Sequence, residues 1–117
     1  MMSQNFQTHE PLSQVVFIHD YLQFVFQEDI LTIYNRAEVQ MGGKTIEQGG
    51  TGFCDALVAL IGRRIVSVSG QAAEPLIVAL DNGARFVVRS VAAAARGPEA
   101  WQFTSPNRPL LVRQNVQ

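Results

Sequence analysis

Residues 76–89 read LIVALDNGARFVVR and contain the clearest structural pattern in the chain. Two apolar runs flank Asp-Asn-Gly, and an Asn-Gly pair readily takes the positive φ angles of a two-residue hairpin turn. Phe86 and Val88 then share one face of the second strand, because side chains alternate along a strand. Arg85 and Arg89 lie on its other face. The stretch therefore predicts an antiparallel hairpin whose apolar face belongs to a core.

Similar runs, rich in β-branched and aromatic residues, lie on both sides of this hairpin and predict further short strands. They cover residues 15–26, as one strand with a bend near Asp20 or two short strands, and residues 30–34, 65–69, 100–104 and 110–114; residues 38–41 can add a further short strand. Nearly all the connections are too short for a parallel crossover, so the strands are expected to pair antiparallel. We therefore expect a mainly β (α+β) fold, an antiparallel β-sandwich or curved sheet of about seven or eight short strands with one short helix.

That helix is predicted over residues 52–61. Apolar residues recur there at the spacing of one helix face, Thr51 can cap the first turn, and Gly62 follows the last apolar residue. A helix this short is not stable alone, so it must pack on the sheet. The glycine-rich residues 42–52 are expected to be a surface loop, since their Gly-Gly-Lys-Thr lacks the upstream glycine of a phosphate-binding loop.

Length and composition predict one domain. The chain has 117 residues, of which 47% are hydrophobic, and that is near the commonest domain size. We expect a disordered tail over residues 1–13 and a single β-rich domain over 14–117. A single cysteine excludes an internal disulfide. The absence of a long apolar run and of a secretory pattern leads us to expect a cytoplasmic protein without membrane contact.

The two halves of the chain differ in charge. Residues 1–62 contain two basic and seven acidic residues, whereas residues 63–117 contain seven basic and three acidic ones. One interpretation is a basic face for an acidic partner or nucleic acid, and the other is that the halves pair within the fold or between subunits. The arginines are scattered and the sequence pI is 6.1. A nucleic-acid-binding domain clusters its basic residues, so we expect no nucleic-acid binding.

Five of the arginines could line one sheet face. They are Arg63, Arg64, Arg85, Arg89 and Arg113. A row of guanidinium groups can bind carboxylates or phosphates through paired hydrogen bonds. It can equally be the solvated face of an antiparallel sheet, and the sequence leaves both interpretations open.

Candidate catalytic groups are few. His19 and Asp20 are adjacent in the chain, and Cys54 lies in the first turn of the predicted helix, where the helix dipole can stabilise a thiolate. One hypothesis is a nucleophile and base in a pocket between helix and sheet. The other is that Cys54 is a buried, inert thiol and His19 an ordinary sheet residue. With two histidines and one cysteine, we expect neither a metal site nor a cofactor.

Residues 53–104 resemble small bacterial β-rich domains of unknown function, some of which occur beside toxin-immunity genes. The resemblance rests on the short helix, the strand after Arg63-Arg64, the Asp81-Asn82-Gly83 hairpin and the later Pro98-Glu99-Ala100-Trp101 segment. It implies a non-catalytic protein-interaction or accessory role, immunity-like in kind. The alternative function is binding of a small ligand, or weak catalysis, near His19 and Cys54.

We also expect a homodimer, because an open antiparallel sheet leaves edges that a second copy can cover. Another protein is an alternative partner. Aromatic residues and arginine are enriched at the centres of interfaces. The predicted interface residues are Tyr34, Trp101, Phe103 and Arg113.

Overall fold

The computed structural model describes residues 6–70, 74–90, 97–106 and 108–115. Within them it has ten strands and one helix, in the order β1 (Gln14–Ile18), β2 (Tyr21–Phe26), β3 (Asp29–Ile33), β4 (Ala37–Met41), β5 (Lys44–Glu47), α1 (Phe53–Val58), β6 (Ile65–Ser69), β7 (Leu76–Leu80), β8 (Arg85–Val88), β9 (Glu99–Thr104) and β10 (Leu111–Gln114). The predicted mainly β fold is confirmed. The strands exceed seven or eight, because residues 15–26 form two strands and the predicted surface loop contains β5.

The strands form two five-stranded antiparallel sheets. The first sheet has the order β1-β2-β3-β9-β10, and the second has the order β5-β4-β8-β7-β6. Each half of the chain gives a three-stranded meander to one sheet and a hairpin to the other. Each strand of the first sheet therefore corresponds to the strand of the second sheet that is five positions away in the chain, so that β1 corresponds to β6 and β9 to β4. No sequence repeat predicts this relation.

One hydrophobic core joins the two sheets. Phe24 of β2 and Phe86 of β8 meet with ring centroids 4.5 Å apart, and both are fully buried. The β7–β8 hairpin supplies Val78 and Val88 to the same cluster. The sequence places these residues on alternate positions of their strands, so the inward side of each sheet is apolar by periodicity alone.

Two of the hairpin turns correct the sequence predictions. Gly42 and Gly43, with φ of 59° and 78°, form a two-residue turn between β4 and β5 in the predicted surface loop. Positive φ at both central positions is the requirement of this turn, and only glycine meets it without strain. The β7–β8 turn has three residues rather than two: the Leu80 N–H donates to the Ala84 carbonyl, and Gly83 alone has positive φ.

The disordered tail predicted over residues 1–13 is corrected for residues 6–13, which pack on the sandwich. Phe6 stacks on Phe103 with ring centroids 4.2 Å apart, and its side chain is 4% exposed. Leu12 is also buried, and its backbone exchanges two hydrogen bonds with the segment after α1. The segment is mostly polar, so its composition did not reveal these two buried apolar residues. Each of them covers a part of the core that the two sheets leave exposed.

Helix α1 is shorter than the predicted range of 52–61. Phe53 and Leu57 point into the core and the helix packs near β4, as its amphipathic pattern requires. The residue before it is Gly52 with φ 87°, so Thr51 does not cap the helix with its side chain. The chain continues in turns to Gly62, and Leu60 of these turns is buried as well.

Asn35, which is 1% exposed, connects the chain segments that cross from one sheet to the other. Its side-chain amide donates to the carbonyl of Arg89 and to Oδ1 of Asn115, each at 2.5 Å. This network links the β3–β4 crossover to the end of β8 and to the strand end of β10. The helical turn considered for residues 91–96 lies outside the described residues.

Candidate functional site

Among the described residues, the outer face of the first sheet bears one charged side chain, Glu99 at the bulged end of β9, and we call the rest of this face the uncharged face. Its members are outward positions of the five strands together with Tyr34: Gln14, Val16, Ile18, Tyr21, Gln23, Val25, Ile30, Thr32, Tyr34, Gln102, Thr104 and Val112. Register places Val16, Gln23, Thr32, Gln102 and Val112 in a single row across all five strands.

Side-chain contacts order this face. Gln23 Nε2 donates to Thr32 Oγ1 at 3.3 Å across β2 and β3, and Thr32 is only 3% exposed. Tyr21 and Tyr34 lie beside each other with ring centroids 5.9 Å apart. The face is therefore made of aromatic, aliphatic and amide groups, some of which contact each other.

Tyr34 is the described residue of this face whose acidity is shifted. Partial burial raises its pKa above the usual value, and the negative charge of Glu99 and the neighbouring Tyr21 add to the shift. Each of these causes disfavours the tyrosinate. The phenol group is therefore held neutral, in keeping with the rest of the face.

The outer face of the second sheet is chemically different, and we call it the charged face. Glu38 on β4, Glu47 on β5 and Arg85 on β8 point outward in the observed register. Arg89, just after β8, makes an ion pair with Glu38 at 3.2 Å. This contact joins the basic half of the chain to its acidic half, so charges of the two halves do meet within the fold.

A cleft lies where the β4–β5 and β7–β8 turns meet, and we call it the hairpin-tip cleft. Its volume is about 380 Å³. It is lined by Gln40, Met41, Gly42, Gly43, Lys44, Thr45, Gly83 and Arg85. Two cationic side chains and no carboxylate border it. The turn glycines leave its walls low, because they carry no side chains.

The structure does not bring the predicted catalytic residues into either cleft that we describe. His19 and Asp20 form the exposed β1–β2 turn, and Cys54 lies on α1. The second cleft, of about 250 Å³, is lined by His9, Glu10, Phe26, Gln27, Glu28 and Asp29. The interpretation of Cys54 as a buried thiol is wrong, because the residue is exposed. The helix turns Phe53 and Leu57 inward, and Cys54, the residue after Phe53, therefore faces solvent.

The predicted interface residues occupy two different environments. Trp101 and Phe103 are 3% and 2% exposed and belong to the core, because they pair with the inward residues Ile33 and Leu31 of β3. One chain therefore already covers both side chains. Arg113 lies over the Trp101 ring, with its Cζ 5.8 Å from the ring centroid. Tyr34 belongs to the uncharged face. Of the four, only Tyr34 and Arg113 keep exposed surface, and their interface role stays a prediction.

The five candidate arginines do not form one row. Arg85 and Arg89 share the charged face, whereas Arg113 is on β10 of the other sheet. Arg64 follows α1, where its guanidinium donates to the carbonyl of His9. The solvated-face interpretation fits Arg89, whose charge is paired, and leaves Arg85 as the arginine of the hairpin-tip cleft.

Among the described residues, no group of three or more His, Cys, Asp or Glu side chains is placed to bind a metal ion. In the same part of the chain, no helix combines the length and the apolar character needed to cross a bilayer. Comparison of the chain with protein-family models, with curated proteins and with solved structures gives no match.

Sequence reasoning missed both surfaces. The uncharged face could have been found by checking the outward positions of each predicted strand for charge, but its extent depends on the pairing of β3 with β9, which is distant in sequence. The cleft had a local signal: Gly-Gly between alternating runs is typical of a hairpin turn. In the sequence analysis, the same glycines are interpreted only as a candidate phosphate-binding loop or as a surface loop.

Proposed function

We propose that this protein is a non-catalytic interaction protein that forms a homodimer by packing the uncharged faces of two copies together. The observation that carries the proposal is the contrast between the two sheets. They share one strand order, yet among the described residues the outer face of the second sheet carries Glu38, Glu47, Arg85 and Arg89, whereas that of the first sheet carries Glu99 alone, at one end. The fold requires no such difference, so a docking role for the first sheet accounts for it.

Desolvation favours this face over the other. Burying an unpaired charge in an interface costs several kcal/mol, whereas burying apolar and amide groups costs little when the amides find partners. Gln23 and Gln102 lie across the middle of the face, and their amides can hydrogen-bond across an interface, whereas Thr32 between them is already buried. Tyr21 and Tyr34 add aromatic surface of the kind enriched in interface centres.

A second copy suits this surface because a two-fold axis sets the same patch against itself. The uncharged face meets its own copy without like-charge repulsion when the Glu99 end of the sheet stays at the edge of the interface, and its partner is present whenever the protein is. Two such faces stack about 10 Å apart, as sheets do inside a sandwich.

The size of the face predicts a weak dimer. Five strands about 4.8 Å apart and about five residues long give roughly 400 Å² of planar area per copy. Two faces then give roughly 800 Å² in total, which is below the about 1,200–2,000 Å² of stable specific interfaces and in the range of weak, transient ones. We therefore expect a dissociation constant in the micromolar range.

Sedimentation velocity between about 1 and 200 µM tests the proposal. The weight-average mass should rise from near 12.9 kDa toward twice that value with concentration. Gln102→Lys places an unpaired charge in the middle of the face and should keep the protein monomeric throughout. Gln40→Lys makes the same change on β4, the strand of the second sheet that corresponds to β9, and should dimerise as wild type does.

Circular dichroism checks that each variant is folded, and Gln23→Lys repeats the test on β2 if Gln102→Lys is not. A wild type that stays near 12.9 kDa at every concentration contradicts the homodimer. So does a folded Gln102→Lys or Gln23→Lys protein that dimerises as wild type does.

The cellular role that we propose is that of a bacterial, cytoplasmic accessory protein, immunity-like in kind. It rests on the resemblance of residues 53–104 to small bacterial β-rich domains. If the uncharged face instead binds a different protein, the sedimentation experiment shows a monomer, and the homodimer proposal is wrong.

A further inference from the structure

We propose that strand β1 is a pairing edge, at which an extended segment of another protein joins the five-stranded first sheet as an additional antiparallel strand. The segment carries apolar side chains at alternate positions and a lysine or arginine at its C-terminal end. The inference goes beyond the homodimer and does not depend on it, because an added strand lies in the plane of the sheet and does not cover the uncharged face.

Four strands form the edges of the two described sheets, and three of them have features that hinder pairing with another chain. Strand β5 has two charged residues, Lys44 and Glu47, among its four. Strands β6 and β10 each contain a register shift where the strand bulges. Charges and bulges are devices by which proteins protect sheet edges. Strand β1 has neither: its five residues, QVVFI, pair one to one with β2 and include no charge and no proline.

The register of β1 shows which of its backbone groups are free at this edge. Ile18 and Tyr21 close a two-residue turn and therefore form a hydrogen-bonded pair. Hydrogen-bonded and non-hydrogen-bonded pairs alternate along antiparallel strands, so Val15 and Phe17 belong to the second kind. Their N–H and C=O groups point away from β2, to the side of β1 where no described strand lies. Two donors and two acceptors are thus available to an added strand.

The side chains beside this edge suit an apolar partner. Phe17 is 45% exposed although it points to the inner side of the sheet, where it pairs with the buried Leu22. Val15 lies on the same side and is partly buried against the core. An added strand places its own alternate side chains next to these two, and aromatic and β-branched residues paired across strands are stabilising.

Acidic side chains lie beside the N-terminal end of β1. Ser13, one residue before the strand, accepts a hydrogen bond at its Oγ from the Gln27 N–H. Gln27 lines the cleft of about 250 Å³, whose carboxylates belong to Glu10, Glu28 and Asp29. An antiparallel segment brings its C-terminal end to this cleft, so a lysine or arginine at that end meets opposite charge.

The same charges disfavour a second copy of the chain as the added strand. Two β1 strands paired antiparallel through Val16 would set Ile18 of one copy opposite Gln14 of the other, and Asp20 follows Ile18 closely in the chain. The Asp20 carboxylate would then approach the acidic cleft of the other copy. Like charges brought together at an interface are unfavourable, so the segment belongs to a different protein.

Amide hydrogen exchange of the full chain, followed by NMR, tests the proposal. The probe is a synthetic peptide in which valine and threonine alternate over about six residues, a typical strand length, before two lysines. The amides of Val15 and Phe17 should exchange quickly in the free protein and slowly with the peptide. The Ile18 amide, already bonded to β2, is the internal control. Four backbone hydrogen bonds of modest net strength predict a dissociation constant of about 1 mM.

Three variants sharpen the test. Phe17→Pro removes an N–H at the free edge without removing a bond to β2, and should weaken peptide binding at least about tenfold. Phe17→Thr, the matched control, keeps that N–H and should bind within about threefold of wild type. Glu28→Lys changes an exposed turn residue and keeps the test decisive if Phe17→Pro does not fold. It should weaken binding of the lysine peptide about fivefold and favour a peptide that ends in two glutamates.

The proposal is overturned if the lysine peptide does not protect Val15 and Phe17 up to about 10 mM, well above the expected dissociation constant. Equal protection by the glutamate peptide overturns it as well. Protection that rises with protein concentration in the absence of peptide would assign the edge to a second copy instead. The Gln102→Lys protein should bind the peptide as wild type does, so a failure of the homodimer leaves these outcomes unchanged.

Discussion

The two sheets of this protein share a strand order and differ in the chemistry of their outer faces. On the first sheet, Gln23, Thr32 and Gln102 occupy the middle of a face whose one charged residue among those described, Glu99, lies at its end. On the second, Glu38 and Arg85 stand at outward positions. Inner faces must be apolar because they make the core, so they teach nothing about function. Outer faces are free to vary, and their difference is where selection for binding can be recognised.

The comparison assumes that both sheets depend on one core, and the largest expected effect tests this. Phe86→Ala removes a fully buried ring that meets Phe24 of the opposite sheet. Loss of burial and a residual cavity should lower the free energy of unfolding by about 3–5 kcal/mol. Urea denaturation followed by circular dichroism measures it.

The matched control lies one residue away on the same strand. Arg85→Ala changes an exposed side chain on the outer face and should change the free energy of unfolding by less than about 0.5 kcal/mol. Equal losses for the two variants would mean that inner and outer faces are not distinguished as the structure has them.

The two meanders contain corresponding turns that can be exchanged. The β2–β3 turn has Gln27 at φ 60°, and the β7–β8 turn has Gly83 at φ 87°. A Cβ at positive φ is strained by about 1 kcal/mol relative to glycine. Gln27→Gly should therefore raise the free energy of unfolding by about 0.5–1 kcal/mol, and Gly83→Gln should lower it by about 1 kcal/mol.

Thermal and urea unfolding of both variants check this exchange. The space at Gly83 is open, so its loss reports backbone strain without a steric contact. The hydrogen bond of Gln27 to Ser13 Oγ comes from its backbone N–H and survives the substitution. Stabilisation by Gly83→Gln would show that the two turns are not equivalent.

The sequence predicts well what depends on local periodicity. Strand β7 and strand β8 follow from alternation and Asp-Asn-Gly, and helix α1 follows from the spacing of Phe53 and Leu57. What it did not predict depends on contacts between distant segments. Trp101 is inward because β9 pairs with β3, and Phe6 is buried because the sheets leave part of the core uncovered. Neither fact is present in a window of neighbouring residues.

The smallest expected effect concerns the ion pair on the charged face. A double-mutant cycle of Glu38→Gln and Arg89→Gln should give a coupling free energy of about 0.2–1 kcal/mol. The value is small because the Arg89 side chain is 51% exposed, so water competes with the contact at 3.2 Å. Raising the salt concentration to 1 M shortens the screening length to about 3 Å and should reduce the coupling further. Urea unfolding of the four proteins at both salt concentrations measures it. A coupling above about 2 kcal/mol, unchanged by salt, would mean that this face carries a structural charge pair. The charge contrast between the sheets would then reflect stability as well as binding.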